Sequence, residues 1–200
     1  MDEILFNKDK TYLLQCSDGK SGAYTVPDTV THIGYLPGSE QDRPVCGAFS
    51  GCAELTSVTI PAGVEWIGSH GYENEGAFSG CSKLTSITVH EDNEHYSSVD
   101  GVLFDKDKQT LFVYPAGKTG AFTMSDTCSA ISDRAFAGCI GLTSITMTDS
   151  ITSLGDFAFS GTGLTSVAIP SGANFNLNMF SGCDLESIEL SEDNADYSFD

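Results

Sequence analysis

Gly47-Ala48-Phe49-Ser50-Gly51-Cys52-Ala53-Glu54-Leu55-Thr56-Ser57-Val58-Thr59-Ile60-Pro61 decides how the rest of this chain is read. Val58 and Ile60 alternate with Ser57 and Thr59. Period two means a strand with one buried face. Leu55 opens the turn into it. Pro61 ends it, because proline cannot donate to a ladder. On this reading Ser57, Thr59 and Pro61 face solvent. Phe49 and Cys52 close the unit from the other side, and Gly51 permits a tight bend between them.

The stretch recurs. Gly76-Ala77-Phe78-Ser79-Gly80-Cys81 runs into Leu84-Thr85-Ser86-Ile87-Thr88-Val89. Ala135-Phe136-Ala137-Gly138-Cys139 runs into Leu142-Thr143-Ser144-Ile145-Thr146-Met147. Further copies start at Ala158-Phe159 and at Phe180. The Phe column steps by 29, 58, 23 and 21 residues, so the basic period is about 22 and the long steps hold insertions. A second element, Val64 with Ile67-Gly68, follows this strand, and Ile33-Gly34 and Leu154-Gly155 hold its place in other copies. No such unit buries its apolar side alone. Stacking puts strand beside strand at about 4.8 Å and makes one core with an aromatic spine.

The step of 58 contains a hairpin. Val102-Leu103-Phe104 and Leu111-Phe112-Val113-Tyr114 flank the polar turn Asp105-Lys106-Asp107-Lys108-Gln109-Thr110. Ala121-Phe122-Thr123-Met124 then gives a short version of the repeat strand. The amino terminus matches this without gaps: Ile4 to Lys10 aligns with Val102 to Lys108, and Gly19 to Pro27 with Gly117 to Ser125. Near the carboxyl terminus Glu192-Asp193-Asn194-Ala195-Asp196-Tyr197-Ser198 repeats Glu91 to Ser97. The expectation is one repeat array over 1–200, a fragment of a longer one. Hairpin inserts fall near 1–16 and 96–116, and loop inserts at 35–46 and 69–76.

Composition narrows the function. The 200 residues carry 28 Asp and Glu against 9 Lys and Arg, a net charge of −19. Such a surface repels phosphate backbones and anionic lipid, so a nucleic-acid partner is not expected. No apolar run is long enough to span a bilayer, and the first residues lack the pattern of a signal peptide. Seven cysteines, four of them at the repeat position, lack the tight pairs of a zinc site. They read as buried reduced thiols, with a bridge between stacked copies as the alternative. No His (32, 70, 90, 95) has a sequence reason to meet a Cys, so catalysis is not expected. Asp105 to Lys108 reads as a hairpin turn. Glu91 to Glu94 leaves incidental calcium open, but no metal or cofactor is assigned.

Candidate binding positions are of two kinds. The strand face carries Ser57, Thr59, Ser86, Thr88, Ser144, Thr146, Ser166, Ser187 and Glu189, with His90 at its rim. Concave strand faces bind ligands in stacked-repeat proteins, although polar β-formers also suit any exposed sheet. The loop inserts offer Tyr35, Arg43, His70 and Tyr72, which are tolerated surface residues unless a partner uses them.

The pattern Ala-Phe-Ser-Gly-Cys-x-x-Leu-Thr-Ser-Val-Thr-Ile-Pro, then Val-x-x-Ile-Gly, resembles the BspA-like leucine-rich repeat family. The segment Tyr96 to Lys118 looks like that family's hairpin insert. The resemblance covers nearly the whole chain. It departs at Tyr35–Cys46, at Ser69–Gly76 and at Asn174–Met179, where the Ile-Gly element is lost. It implies a mostly β, right-handed leucine-rich solenoid of short stacked parallel strands. It also implies a non-catalytic bacterial or protist protein at the cell surface, acting in adhesion to host proteins or neighbouring cells. The expected partner is an extracellular protein or a glycan, with the chain monomeric and not inserted in a membrane. A structural spacer and a carbohydrate-binding accessory module are the alternatives.

Overall fold

A computed structural model describes residues 4–34, 47–68, 76–174 and 176–190. Its described regular structure is sixteen short β-strands and a single 3-10 turn, Leu177–Phe180. The repeat strands are β3 (Gly22–Thr25), β5 (Leu55–Ile60), β7 (Ser86–Val89), β11 (Gly120–Thr123), β13 (Leu142–Thr146), β15 (Ser166–Ile169) and β16 (Ser187–Leu190). They pair in parallel: β3 with β5, β5 with β7, β11 with β13, and β15 with β16. Equivalent residues meet, Val58 beside Ile87 and Val167 beside Ile188. A one-residue slip would turn every apolar side chain outward, so the alternation itself holds the register.

The Ile-Gly elements form a second set of parallel pairs, in two separate sheets: β4 (His32–Ile33) with β6 (Trp66–Ile67), and β12 (Ala130–Ile131) with β14 (Ser153–Leu154). The hairpins feed both sheets. β1 (Ile4–Phe6) pairs antiparallel with β2 (Tyr12–Cys16), and β2 runs parallel to β4. In the second half β9 (Val102–Asp105) pairs with β10 (Thr110–Val113), and β10 runs parallel to β12. The insert is thus stitched into the repeat by its second strand. It carries one strand more than expected, since β8 (Tyr96–Val99) pairs antiparallel with β9. Asn7 and Asp105 hold the equivalent turns, each with Oδ1 accepting two backbone N–H groups.

Between strands the chain turns at Phe-x-Gly. Gly51, Gly80, Gly138, Gly161 and Gly182 all have φ between 64° and 78°, the left-handed region that glycine enters without a Cβ penalty. The turn also stacks: Phe49 N–H donates to Ala77 O, Phe136 to Ala158 O and Phe159 to Met179 O, at 2.8–2.9 Å. Above these bonds the rings stack at 5.2 Å (Phe49–Phe78), 5.2 Å (Phe136–Phe159) and 5.4 Å (Phe159–Phe180). Tyr114 takes the Phe place at the end of the second hairpin, 5.0 Å from Phe136. Each fully buried Val, Ile, Leu or Phe contributes about 1.5–3 kcal/mol.

Two readings change. Pro61 does not face solvent; like Pro170, it is buried. The strand curls inward at its end, and the Pro61 carbonyl accepts from Asn93. The lost Ile-Gly element at 174–179 is replaced by a side chain: Asn174 Oδ1 accepts from Leu154 N–H and its Nδ2 donates to Leu154 O. An amide side chain there imitates the backbone of the missing strand.

Candidate functional site

The polar strand face is the candidate site. Its inward residues (Val58, Ile87, Ile145, Val167) are buried, which turns the alternate positions outward. Thr59, Thr88, Ser144, Thr146, Ser166, Ser187 and Glu189 are exposed, whereas Ser57 and Ser86 are half-buried. Ser86 is covered by the hairpin: a Cβ on Gly101 would come within 2.9 Å of its Cα. His90 lies one residue beyond β7, and its Nδ1 accepts the Asp92 N–H at 3.2 Å. It caps a turn at the end of that strand and is exposed. Tyr35, Arg43, His70 and Tyr72, and with them both loop inserts apart from Gly76, lie outside the described residues.

The face is divided. Ser57 and Thr59 pair with Ser86 and Thr88, Ser144 and Thr146 with Ala121 and Thr123, and Ser166 with Ser187. These fall in three separate sheets; the first break comes where the hairpin closes on β7, and the second lies between β13 and β15. Ile87 N–H donates to Gly101 O, and Val89 N–H to Ser98 Oγ. Two exposed threonines complete the rows and were not singled out from sequence: Thr25 beside Thr59, and Thr123 beside Thr146. The gapless match of Gly19–Pro27 to Gly117–Ser125 carried the signal for both.

The cysteines have a different task. Cys81 Sγ donates to Phe49 O at 3.0 Å, Cys139 Sγ to Tyr114 O at 3.5 Å, and Cys183 Sγ to Phe159 O at 2.9 Å. Each thiol satisfies the carbonyl of the aromatic residue one repeat earlier. Thr162 holds the same place with a hydroxyl 3.3 Å from Cys183 Sγ. All six described cysteines are free thiols. Burial pushes Cys16, Cys81 and Cys139 up to about 12. A thiol kept protonated in an apolar wall is a poor nucleophile.

Asn93 is fully buried and fully used. Its Nδ2 donates to Pro61 O and Val64 O, and its Oδ1 accepts from His95 and Tyr96 N–H. The Glu91–Glu94 stretch is therefore built around a plug that fastens the hairpin to the preceding repeat. Nearby, a cavity of about 70 Å³ lies where the aromatic column passes from Phe78 to Tyr114, with Leu84, Leu103 and Phe112 in its wall.

Stacked parallel strands, a threonine- and serine-bearing outer face and an aromatic spine define a repeat protein whose exposed surface is built jointly by several units. The chain belongs to the BspA-type leucine-rich repeat family, whose sequence profile matches residues 46–109 and 108–199 in six copies. No curated protein matches the sequence. Among solved structures it is similar to a leucine-rich repeat protein from Eubacterium ventriosum (21% identity, TM-score 0.51, 84% of this chain and 66% of that one). It is also similar to the pneumococcal vaccine antigen PcpA (19%, TM-score 0.53, 90% and 60%). A third is a leucine-rich cell surface protein from Faecalibacterium prausnitzii (19%, TM-score 0.50, 94% and 92%). At these identities the likeness is one of fold. The chain spans no more than two thirds of the first two proteins' lengths. No described helix is long and apolar enough to cross a membrane.

Proposed function

We propose that this chain is a non-catalytic, surface-displayed module that binds an extracellular protein through its outer strand face. One observation carries the reading. Thr25, Thr59 and Thr88 stand in one in-register row, exposed, with every alternate position committed to the core. A row of hydroxyls at strand spacing presents donors and acceptors on a rigid lattice, so a ligand meets several repeats at once. The repeats wind as a right-handed solenoid with this face concave, in keeping with the hand of parallel crossover connections. The cell-surface description of the Faecalibacterium prausnitzii relative supports display outside the cell.

The test is binding of the purified chain to immobilised extracellular matrix proteins. Thr59→Lys with Thr88→Lys places two long cations on adjacent strands of the row and is expected to lower binding about tenfold or more. Undiminished binding by this variant would move the site elsewhere on the molecule.

A further inference from the structure

We propose that Tyr12, His32 and Trp66, with Glu65 beside them, form a seat for the ammonium and guanidinium groups of a basic polypeptide segment. The three rings lie on neighbouring strands in one register: Tyr12 of β2 stands beside His32 of β4, and His32 beside Trp66 of β6. The next residue on each strand, Leu13, Ile33 or Ile67, is buried, so the alternation that serves the core turns the rings outward. All three ring residues are half-exposed. The Tyr12 and His32 ring centres are 4.7 Å apart. Thr31 Oγ1 stands 2.9 Å from His32 Nδ1. The Trp66 indole lies along the backbone at Gly68, where a Cβ would come within 3.1 Å of its Cζ3. Rings held in this way lose little freedom when a ligand arrives.

The fold does not require aromatic residues here. The second half of the molecule has the same three places in the same register, on β10, β12 and β14, and fills them with Thr110, Ala130 and Ser153. The inward neighbours Leu111, Ile131 and Leu154 are buried just as Leu13, Ile33 and Ile67 are. Both sets serve the core equally, and the rings are an addition in one half only. Glu65 is also particular to this row, since Thr152 stands in its place before Ser153.

Charge selects the occupant. An aromatic face is the negative side of the ring quadrupole and attracts a cation within about 6 Å. The chain uses this attraction elsewhere: Lys20 Nζ lies 5.5 Å from the Tyr24 ring centre, and the Arg134 guanidinium 4.6 Å from that of Phe157. Glu65 is exposed and makes no ion pair with another described residue. Burial holds the His32 imidazole below its ordinary value, against the opposing pull of the Glu65 charge, so this ring is uncharged at neutral pH. A net charge of −19 draws a basic partner in from a distance. Three strands about 4.8 Å apart make a row roughly 10 Å long, which seats two or more cationic side chains of one segment and exceeds what a single small ammonium ion needs.

Trp66 is the single tryptophan, so its emission reports on the row directly. Titrating the intact chain with hexa-arginine in about 150 mM salt is expected to change that emission saturably. By calorimetry, Trp66→Leu and Tyr12→Leu are each expected to weaken binding about fivefold or more, Glu65→Gln about threefold, and Trp66→Phe to keep most of it. Asp126→Asn removes one exposed charge from the second half and is expected to leave binding unchanged. Thermal melting checks each variant, and Tyr12→Leu with Glu65→Gln carries the test if Trp66→Leu unfolds. This row and the Thr25–Thr59–Thr88 row belong to different sheets, so the result is independent of the strand-face test. An unchanged emission, undiminished binding by Tyr12→Leu and Glu65→Gln, a loss in Asp126→Asn as large as in Glu65→Gln, or a response to a neutral cellulose or chitin oligosaccharide in place of hexa-arginine would each overturn the inference.

Discussion

The step from Phe136 to Phe159 and the step from Phe78 to Tyr114 join neighbouring repeats in different ways. In the first, two rings stack 5.2 Å apart and the Phe136 N–H reaches Ala158 O. In the second, both aromatic residues border a cavity of about 70 Å³. The buried side chains accordingly fall into two clusters, one on each side of that step. Regular repeats are held by stacking of like on like. The hairpin breaks that stacking and substitutes a strand, β9, that sends Leu103 one way and Val102 and Phe104 the other. An insert of this kind is a coupling between two shorter stacks as much as an ornament on one long stack.

Three measurements would break or sharpen this contrast. The largest effect is expected at the regular step. Phe159 is sandwiched between Phe136 and Phe180, so Phe159→Ala removes both ring contacts and is expected to cost about 3–5 kcal/mol. Chemical denaturation should then show the second half melting before the first. A single unchanged transition would mean that the halves are not separable stacks. Next comes the fastening of the hairpin. Asn93→Ala strips four hydrogen bonds and takes from the buried Val64 carbonyl the donor it has, an expected loss of about 2–3 kcal/mol in the same assay. A cost under about 1 kcal/mol would show that the plug is not what holds the insert in place.

The smallest effect compares two equivalent alanines. Ala158 is fully buried in the regular step, and Ala158→Val is expected to overpack it by about 1–3 kcal/mol. Ala135 borders the cavity, so Ala135→Val is expected to be neutral or to stabilise by about 1 kcal/mol. Equal losses at both positions would show that the cavity is not usable space.

Much of this was legible in the residues. The alternation in Leu55–Ile60 predicted a half-buried strand, and the copies predicted its parallel neighbours and the aromatic stack. The gapless match between Ile4–Lys10 and Val102–Lys108 predicted two equivalent hairpins. Other features were hidden, because they depend on what a side chain meets far along the chain. Pro61 looked like an exposed strand end, yet it is buried where Asn93 reaches its carbonyl. The repeat cysteines looked like simple filler, yet each donates to a carbonyl one repeat away. β8 was missed as a strand, since Tyr96–Val99 carries polar serines: Ser98 Oγ accepts from Val89 N–H across the junction, and Ser97 Oγ donates to Asp105 O within the insert. Ser86 looked equivalent to Ser57 but lies under Gly101.

The sequence by itself determined the repeat, its period, the buried face of each strand and the family, because local alternation and self-similarity are written into the order of residues. Only the tertiary structure decided where stacking is continuous and where it is bridged. It divided the polar face into three parts and showed that β9 serves two cores. Those outcomes depend on which surfaces meet after folding, and no local pattern encodes the partner of a side chain across a junction.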